Sequence, residues 1–235
     1  MKQFFLMSTV LVVLSLPAYV NKSNIGAFSI VFSNSSSSLP YDSEVEYIDS
    51  IVPAFIDTGI YPNGSTIVEI DGLFLSAGAN SLGAMMGCVN DRYMFRYRTT
   101  TRAELAMYKR GNGVGYGSWC YCETNLKTRH LYTYGGDLGV LLDGEQIDDG
   151  IVFDNNITYT LKIAGGYNPT NSQRGGNCRY WRVSIWKNNE LVRNFQPVRI
   201  TNEYGEIEGA MYDRVSKQLF RNSGTGAFIC GPDKK

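Results

Sequence analysis

Arg179-Tyr-Trp-Arg-Val-Ser-Ile-Trp-Lys187 is the stretch that indicates the fold of this chain most clearly. Alternate positions place Trp181, Val183 and Ile185 on one face of an extended segment, with polar side chains between them. Successive side chains of a β-strand point to opposite faces, so this period of two predicts a strand with one buried face. A strand of that kind needs a sheet around it, and the rest of the chain should therefore supply further strands.

Two other stretches repeat the pattern. Arg92–Arg98 is predicted to be a strand whose inward face carries aromatic rings, from Tyr93, Phe95 and Tyr97. Ile157–Ile163 is predicted to be a strand whose inward face carries Ile157, Tyr159, Leu161 and Ile163. Each pattern is consistent with one face buried and the other in water.

The segments between these stretches carry turn residues. Asp143-Gly144 predicts a two-residue hairpin, because a type I′ turn needs positive φ at both central positions. Asn188-Asn189 is a weaker signal of the same kind. Arg102–Arg110 is the only helix-like stretch, but it lacks a sustained period of 3.6 residues and can equally be a strand. Many short strands with glycine-rich turns predict an antiparallel β-sandwich.

Two segments near the ends of the chain resemble a known family. They are Tyr47-Ile-Asp-Ser-Ile-Val-Pro-Ala-Phe-Ile-Asp-Thr-Gly-Ile-Tyr-Pro-Asn63 and Gly209-Ala-Met-Tyr-Asp-Arg-Val-Ser-Lys-Gln-Leu-Phe220. Both are similar to the opening and closing strands of LamG-like jelly-roll domains, in the concanavalin A-like lectin/glucanase superfamily. Such domains occur in bacterial surface and exported proteins and in phages. The resemblance spans about residues 44–233.

The resemblance implies an all-β fold, namely an antiparallel two-sheet jelly-roll β-sandwich. It also implies that the first and last strands lie together in one sheet, which would bring the Tyr47 region beside a strand at Met211–Arg214. The stretch Leu191–Val198 resembles the segment that precedes the closing strand in these domains. Asn194 stands there at a position where the family often carries Asp.

The N-terminal region differs in composition from the rest of the chain. Lys2 is followed by an apolar run from Phe4 to Leu16, which suits a signal-peptide core and is shorter than the roughly 20 residues of a transmembrane helix. We expect residues 1–20 to be a signal peptide or an apolar anchor, 21–40 a Ser-rich linker, and 41–235 the LamG-like domain. The expected location is secreted or cell surface. A retained segment can instead pack against a protein partner.

The balance of basic and acidic residues indicates which classes of binding partner to expect. The chain has 22 basic and 22 acidic residues, for a formal net charge of zero. Nucleic acid binding needs a concentrated basic surface, so we expect no nucleic acid partner. We interpret the local basic group as the solvated face of a strand; its members are Arg92, Arg96, Arg98 and Arg102.

The cysteines are interpreted as small apolar residues rather than as a disulfide framework. The chain has five, at Cys88, Cys120, Cys122, Cys178 and Cys230. Their number is odd, and no C-x-x-C pair with zinc-site spacing is present. A domain of this size does not need disulfides for stability.

Catalytic motifs are absent from the sequence. Glucanases of this superfamily carry a Glu-x-Asp-x-(x)-Glu strand, and none of the acidic groups in the chain has that order. The single histidine, His130, lies in an ordinary strand pattern, and no Gly-x-Ser-x-Gly elbow occurs. We expect no enzymatic activity and no catalytic residue.

Calcium is the one cofactor that the sequence leaves open. Asp148-Asp149, Asp154–Asn156 and Asn168 offer the oxygen ligands that Ca²⁺ prefers. Asp and Asn also cluster in turns for backbone reasons. The sequence therefore predicts no metal site and no required cofactor.

Aromatic residues provide the best functional candidate. The richest group comprises Tyr93, Tyr97, Tyr116, Trp119 and Tyr121, which we take as candidate ligand-binding residues. Sugars stack on aromatic rings, although the same pattern can build a core between two sheets. We predict a non-catalytic exported or surface module that binds carbohydrate or a glycosylated surface. The alternative is a structural or assembly protein, such as a cell-surface or phage decoration subunit, that uses the jelly roll for protein–protein contacts.

Overall fold

The computed structural model describes residues 39–76, 83–88, 93–99, 102–107, 118–135, 138–148, 157–165 and 175–235. The chain from Leu39 to Lys235 forms one compact unit. Its described residues build two antiparallel β-sheets, which confirms the predicted all-β sandwich. The expected N-terminal segment, and the expected linker up to residue 38, lie outside these residues. Within the described ranges, no helix has the length and hydrophobicity needed to cross a bilayer.

The described strands are numbered β1 to β17 in chain order. The larger sheet contains eleven of them. They are β1 (Ser43–Glu44), β2 (Ile48–Ile51), β4 (Thr66–Ser76), β9 (His130–Tyr134), β10 (Val140–Leu142), β11 (Glu145–Asp148), β13 (Asn177–Lys187), β14 (Glu190–Thr201), β15 (Ile207–Asp213), β16 (Gln218–Phe220) and β17 (Ala227–Cys230).

The smaller sheet contains the other six described strands. They are β3 (Ile56–Asp57), β5 (Ala84–Gly87), β6 (Met94–Thr99), β7 (Arg102–Met107), β8 (Ser118–Glu123) and β12 (Lys162–Ile163). Their order across the sheet is β3-β12-β5-β6-β7-β8. In the segment Arg102–Arg110, which the sequence left open between helix and strand, the described part is strand β7, and residues 108–110 lie outside the described residues.

The long strand β13 organises the larger sheet. One of its edges pairs with β4 along its whole length, from Asn177 to Lys187. Two strands share its other edge, because β2 pairs with Arg179–Tyr180 and β14 pairs with Val183–Lys187. Beyond Phe195, β14 separates from β13, and its Val198–Arg199 pair with β1 instead.

The strand that follows Tyr47 pairs with the last strand of the larger sheet, and not with the strand that the family resemblance implied. β2 pairs with β17, and Ile48 lies opposite Cys230. The expected neighbour of the Tyr47 region, the strand that ends at Asp213, instead pairs with β14 and β16. That expectation was wrong because another strand, β17, follows in the chain and occupies the edge of β2.

The two sheets enclose one aromatic core. Phe95 of β6 has its ring centroid 4.8 Å from that of Tyr132, 5.3 Å from Tyr134 and 6.1 Å from Phe74, all three on the larger sheet. Tyr97 lies 5.7 Å from Phe74. These separations fall in the range of about 4.5–7 Å that favours aromatic pairs. The predicted inward face of β6 is confirmed.

Tyrosine hydroxyls also connect the sheets. Tyr180 of β13 donates to the Met85 carbonyl of β5 at 2.7 Å, and Tyr93 donates to the Thr66 carbonyl of β4 at 2.6 Å. Burial raises the pKa of both hydroxyls well above the ordinary phenol value, so both remain protonated donors at neutral pH. The rings of Tyr180 and Tyr93 are therefore buried in the core with their hydroxyl groups hydrogen-bonded.

Both predicted hairpin turns are confirmed. Asp143 and Gly144 have φ of 52° and 87°, and Leu142 pairs with Glu145 across the turn. Asn188 and Asn189 have φ of 54° and 63° in the loop between β13 and β14. Positive φ at both central positions is the requirement of a type I′ turn.

Two strand expectations were wrong in part. Of the predicted strand Ile157–Ile163, only Lys162–Ile163 pairs in a sheet, and Tyr159 is 44% exposed. Leu161 is buried, but its backbone bonds to the loop at Thr58 and Ile60, outside the strand ladder. Arg96 was expected on a solvated face and is 2% exposed, because that face of the smaller sheet is covered at this point.

The cysteines with described side chains are free thiols. Cys88 and Cys178 are buried, as expected, and Cys230 is half-buried. Burial raises the pKa of Cys178 to about 12, so this thiol remains protonated and behaves as a small apolar residue.

We expect Tyr180→Phe to lower the free energy of unfolding by about 0.5–1.5 kcal/mol, the typical net contribution of one hydrogen bond. The Met85 carbonyl keeps a second bond, from the Ala164 N–H at 2.8 Å, which limits the loss. Urea unfolding measures the effect. Tyr204→Phe, at a ring that is 80% exposed, is the matched control and should stay within about 0.5 kcal/mol of the parent. Equal stability of the two variants would contradict the role given to the Tyr180 hydroxyl.

Candidate ligand-binding site

The tyrosines expected to bind a ligand at β6 lie in the core. Tyr93 is 0% exposed and Tyr97 is 5% exposed. A ring that stacks on a sugar must present an open face, and neither ring does. The expectation that Tyr93 and Tyr97 form part of a platform is therefore corrected: they are core residues, the reading that the aromatic pattern also allowed.

The structure describes the other predicted platform residues in their backbone alone or not at all. Trp119 pairs with Ala106, and Tyr121 pairs with Glu104, in the ladder between β7 and β8. Tyr116 lies outside the described residues. Because Tyr93 and Tyr97 belong to the core, the five residues do not form one platform, and a role for the other three stays a prediction.

A different tryptophan, Trp181, reaches the outer face of the larger sheet. Tyr180 pairs with Gly72 and Arg182 pairs with Asp71, which leaves Trp181 as the extra residue of a β-bulge. Tyr180 is 0% exposed, so strand alternation places Trp181 on the other side of the sheet, where it is partly exposed. The bulge then shifts the alternation, so that Val183 faces the core although it lies two positions after Trp181. The expectation that Trp181 shares the inward face of Val183 and Ile185 is wrong for this reason.

Arginines and carboxylates hold the aromatic group around Trp181. The Arg129 guanidinium lies 4.4 Å from the Trp181 ring centroid and bonds both carboxylate oxygens of Asp71 at 2.6 Å. Tyr47 lies 5.6 Å from Trp181 between ring centroids. The Arg179 guanidinium stacks 3.6 Å from the Tyr47 centroid. Cation–π contacts and bidentate ion pairs of this kind fix ring orientation.

Arg179 itself is held by Asp49, with bonds of 2.7 and 2.9 Å from its guanidinium to the two carboxylate oxygens. These hydrogen bonds raise the pKa of Arg179, and the bonds to Asp71 do the same for Arg129. Both guanidiniums therefore remain charged, and the stacked arrangement persists across the usual pH range.

A depression of about 190 Å³ adjoins Trp181. It lies where β13 and β14 separate. On β13, Trp181 and Arg182 come directly after the two residues that pair with β2. On β14, Gln196 comes directly after Phe195, the last residue that pairs with β13. Its polar lining comes from β13, from β14, from the turn after β15 and from the C-terminal tail. These side chains are Arg182, Asn194, Gln196, Arg214 and Lys234.

Gln196 contributes an unsatisfied polar group to this depression. The residue is 5% exposed, and its Nε2 has no hydrogen-bond partner among the described residues. A buried donor without a partner costs about 1–3 kcal/mol, so such groups are rare and call for an explanation. Gln196 is one of the residues that line the depression, so a ligand there would lie next to this amide.

Asp213 positions two residues of the lining. Its buried carboxylate accepts hydrogen bonds from the Asn194 N–H at 2.7 Å, the Val215 N–H at 3.1 Å, and the Ser216 N–H and hydroxyl at 3.1 and 2.6 Å. The Arg214 N–H in turn donates to the Asn194 carbonyl at 2.9 Å. One carboxylate thus joins β14 to the turn that carries Arg214.

The charged side chains that line the depression are all cations. Arg182 bonds Glu69 at 2.7 Å. Arg214 lies 3.3 Å from one oxygen of Glu44, and Lys234 lies 3.9 Å from the other. Partial burial lowers the pKa of Lys234; Glu44 opposes that shift and the Arg214 guanidinium adds to it. Close approach of two cations makes a further anion favourable here.

One feature of the sequence could have indicated this site, and the other residues of the site carry no recognisable pattern. Tyr180 and Trp181 are adjacent in the sequence. Successive side chains of a strand point to opposite faces, so when one of these rings faces the core the other faces outward. Asn194, Gln196 and Lys234 lie on segments distant in sequence and carry no motif. Only the paired strands bring them together.

The candidate metal ligands do not cluster in the described part of the chain. Among those residues, no group of three or more His, Cys, Asp or Glu is placed to hold a metal ion. Asp148 ends β11, and the other proposed calcium ligands lie outside the described ranges. His130 is bonded at both ring nitrogens, with Nδ1 2.7 Å from Asp143 and Nε2 2.7 Å from the Thr128 hydroxyl.

Comparison with known proteins supports the fold. No family model and no curated protein match the chain. A crystal structure from Bacteroides ovatus, named "putative carbohydrate binding protein", is similar with a TM-score of 0.53 and 11% sequence identity. The similarity covers 80% of this chain and 60% of that one. At this identity the likeness shows a common β-sandwich fold alone.

We expect Asp213→Asn to lower the free energy of unfolding by at least about 1.5 kcal/mol, because an amide cannot accept all the bonds that this buried carboxylate accepts. Chemical denaturation measures the change. Glu203→Gln, at an exposed position, makes the same change from carboxylate to amide without breaking a buried bond and serves as the control. A loss no larger than that of the control would show that Asp213 does not hold the turn.

Proposed function

We propose that this chain is a non-catalytic carbohydrate-binding module and that the sugar binds in the depression beside Trp181. The observation that carries the proposal is the bulged Trp181, which presents an aromatic ring next to a depression lined by the unpartnered Gln196 amide. Sugars need both parts: a flat apolar surface for the ring face and fixed polar groups for the hydroxyls.

The dimensions suit a small ligand. The volume of about 190 Å³ is below the roughly 300–1,000 Å³ typical of pockets for drug-sized molecules. We infer that the depression holds a single sugar residue, with the rest of a chain extending over the open surface near Tyr47. The bidentate pairs of Arg129 and Arg179 keep that surface ordered before the ligand arrives, which lowers the entropic cost of binding.

Several finer points belong to the same proposal. The likeness to the Bacteroides ovatus protein supports a carbohydrate ligand through that protein's name. The two terminal segments support membership of the LamG-like jelly rolls, and the apolar run from Phe4 to Leu16 supports secretion or display at the cell surface. The described lining of the depression includes no carboxylate, whereas glycoside hydrolysis ordinarily uses a pair of them.

We expect Trp181→Ala to weaken glycan binding by the full chain at least about tenfold, because buried tryptophans are common energetic centres of binding sites. A glycan array, followed by calorimetry on the best ligand, measures the change. Trp119→Ala is the matched control, since it removes the same side chain from β8 of the smaller sheet, where the sequence had predicted the platform. It should retain binding. Circular dichroism confirms that both variants are folded.

The opposite results are equally informative. Loss of binding in Trp119→Ala with retention in Trp181→Ala would place the site on the smaller sheet and end the present assignment. Absence of glycan binding by the folded parent protein would contradict the carbohydrate proposal. Light scattering that shows assembly of that protein would then favour the structural alternative.

A further inference from the structure

The lining of the depression is asymmetric in charge. Arg182, Arg214 and Lys234 contribute three cations, and the described lining contains no acidic side chain. The chain as a whole has equal numbers of basic and acidic residues, so this local excess does not follow from composition. The carboxylate partners of the three cations, Glu44 and Glu69, are not among the lining residues, so the charged groups that line the depression itself are positive.

The lining is also rich in hydrogen-bond donors. Arginine and lysine side chains only donate, and the unpartnered atom of Gln196 is its Nε2, a donor. Asn194 adds a second amide. A neutral sugar hydroxyl both donates and accepts, whereas a carboxylate or sulfate oxygen only accepts. The two amides each add a carbonyl acceptor, but donors outnumber acceptors in this lining, and an excess of donors suits an anionic group better than a hydroxyl.

The carboxylates that pair with these cations do not use all of their N–H donors. Glu44 is shared between Arg214 and Lys234 at 3.3 and 3.9 Å, longer than the roughly 2.7–2.9 Å of a strong charge-assisted bond. Arg182 bonds Glu69 through one terminal nitrogen at 2.7 Å. Arg182 and Arg214 have side chains that are 51% and 52% exposed, so they can turn toward a ligand at little cost.

We infer that the sugar recognised at this site is acidic and that its carboxylate or sulfate group lies between Arg214 and Lys234, with its ring against Trp181. This inference rests on the proposed function and adds the chemical class of the ligand. Arg182 and the amides of Asn194 and Gln196 complete the donors around the anion. A uronic acid and a sulfated sugar share this chemistry, and the experiment separates them.

The test measures binding of the full chain to two matched pairs of polymers. Polygalacturonate is compared with its methyl ester, and dextran sulfate is compared with dextran. We expect one charged member at least to bind about tenfold more tightly than its neutral counterpart, as expected for charge-assisted hydrogen bonds. The preference should shrink between about 0.05 and 0.5 M salt, because salt screens exposed charges.

Two variants locate the effect. The double variant Arg214→Gln/Lys234→Gln should lose the preference for the charged polymer. Its control, Lys127→Gln/Arg221→Gln, removes the same charge from exposed positions outside the depression and should keep it. Asn194→Asp adds a carboxylate to the lining and should weaken binding of the charged polymer at least about tenfold while sparing the neutral one.

The outcomes separate this inference from the proposed function. Preference for polygalacturonate indicates a uronate, and preference for dextran sulfate indicates a sulfated sugar. Equal binding within both pairs, or a preference that survives in Arg214→Gln/Lys234→Gln, overturns the acidic ligand. If neutral polymers still bind and Trp181→Ala abolishes that binding, the carbohydrate site stands without it. If the folded protein binds no glycan in any assay, both proposals fall.

Discussion

Two different strands pair with one edge of β13, and this arrangement determines where the depression and the exposed Trp181 lie. Buried backbone N–H and C=O groups need partners, so most of this edge, which lies inside the sheet, has to be paired. β2 covers the beginning of the edge and β14 covers the end. The two arrive from opposite ends of the chain and cannot merge into one continuous neighbour. Between them lies a short interval without a ladder partner, and the depression forms there.

The bulge at Trp181 lies at the same interval. On its other side β13 remains paired with β4, and the extra residue is accommodated there by a shift in register between Tyr180 and Arg182. A bulge increases local twist and reverses which side chain faces inward. Because of this shift, Tyr180 and Val183 both face the core although they lie three positions apart, and Trp181 and Arg182 between them both reach the surface. Core packing and the exposed aromatic ring are two results of one local irregularity.

The sequence predicted the features that depend on local chemistry. Alternation identified the inward face of β6, and positive-φ residues identified the turns at Asp143-Gly144 and Asn188-Asn189. It could not predict features set by distant partners. The bulge depends on the register of β4, the burial of Arg96 depends on what covers the smaller sheet, and the depression depends on four separate segments. A period-two pattern contains no information about any of these.

The last structural feature of note is the pairing of the C-terminal tail with the beginning of the described unit. The Lys234 N–H donates to the Glu44 carbonyl at 2.9 Å, the Glu46 N–H donates to the Pro232 carbonyl at 2.8 Å, and Val45 forms a bridge with Asp233. The beginning and the end of the described unit therefore lie side by side. A fold with adjacent termini can be inserted into a loop of a host protein, or have its ends joined and reopened elsewhere, with little distortion of either partner. Here that junction also carries Lys234 of the depression, so any connection made at these termini lies beside the depression.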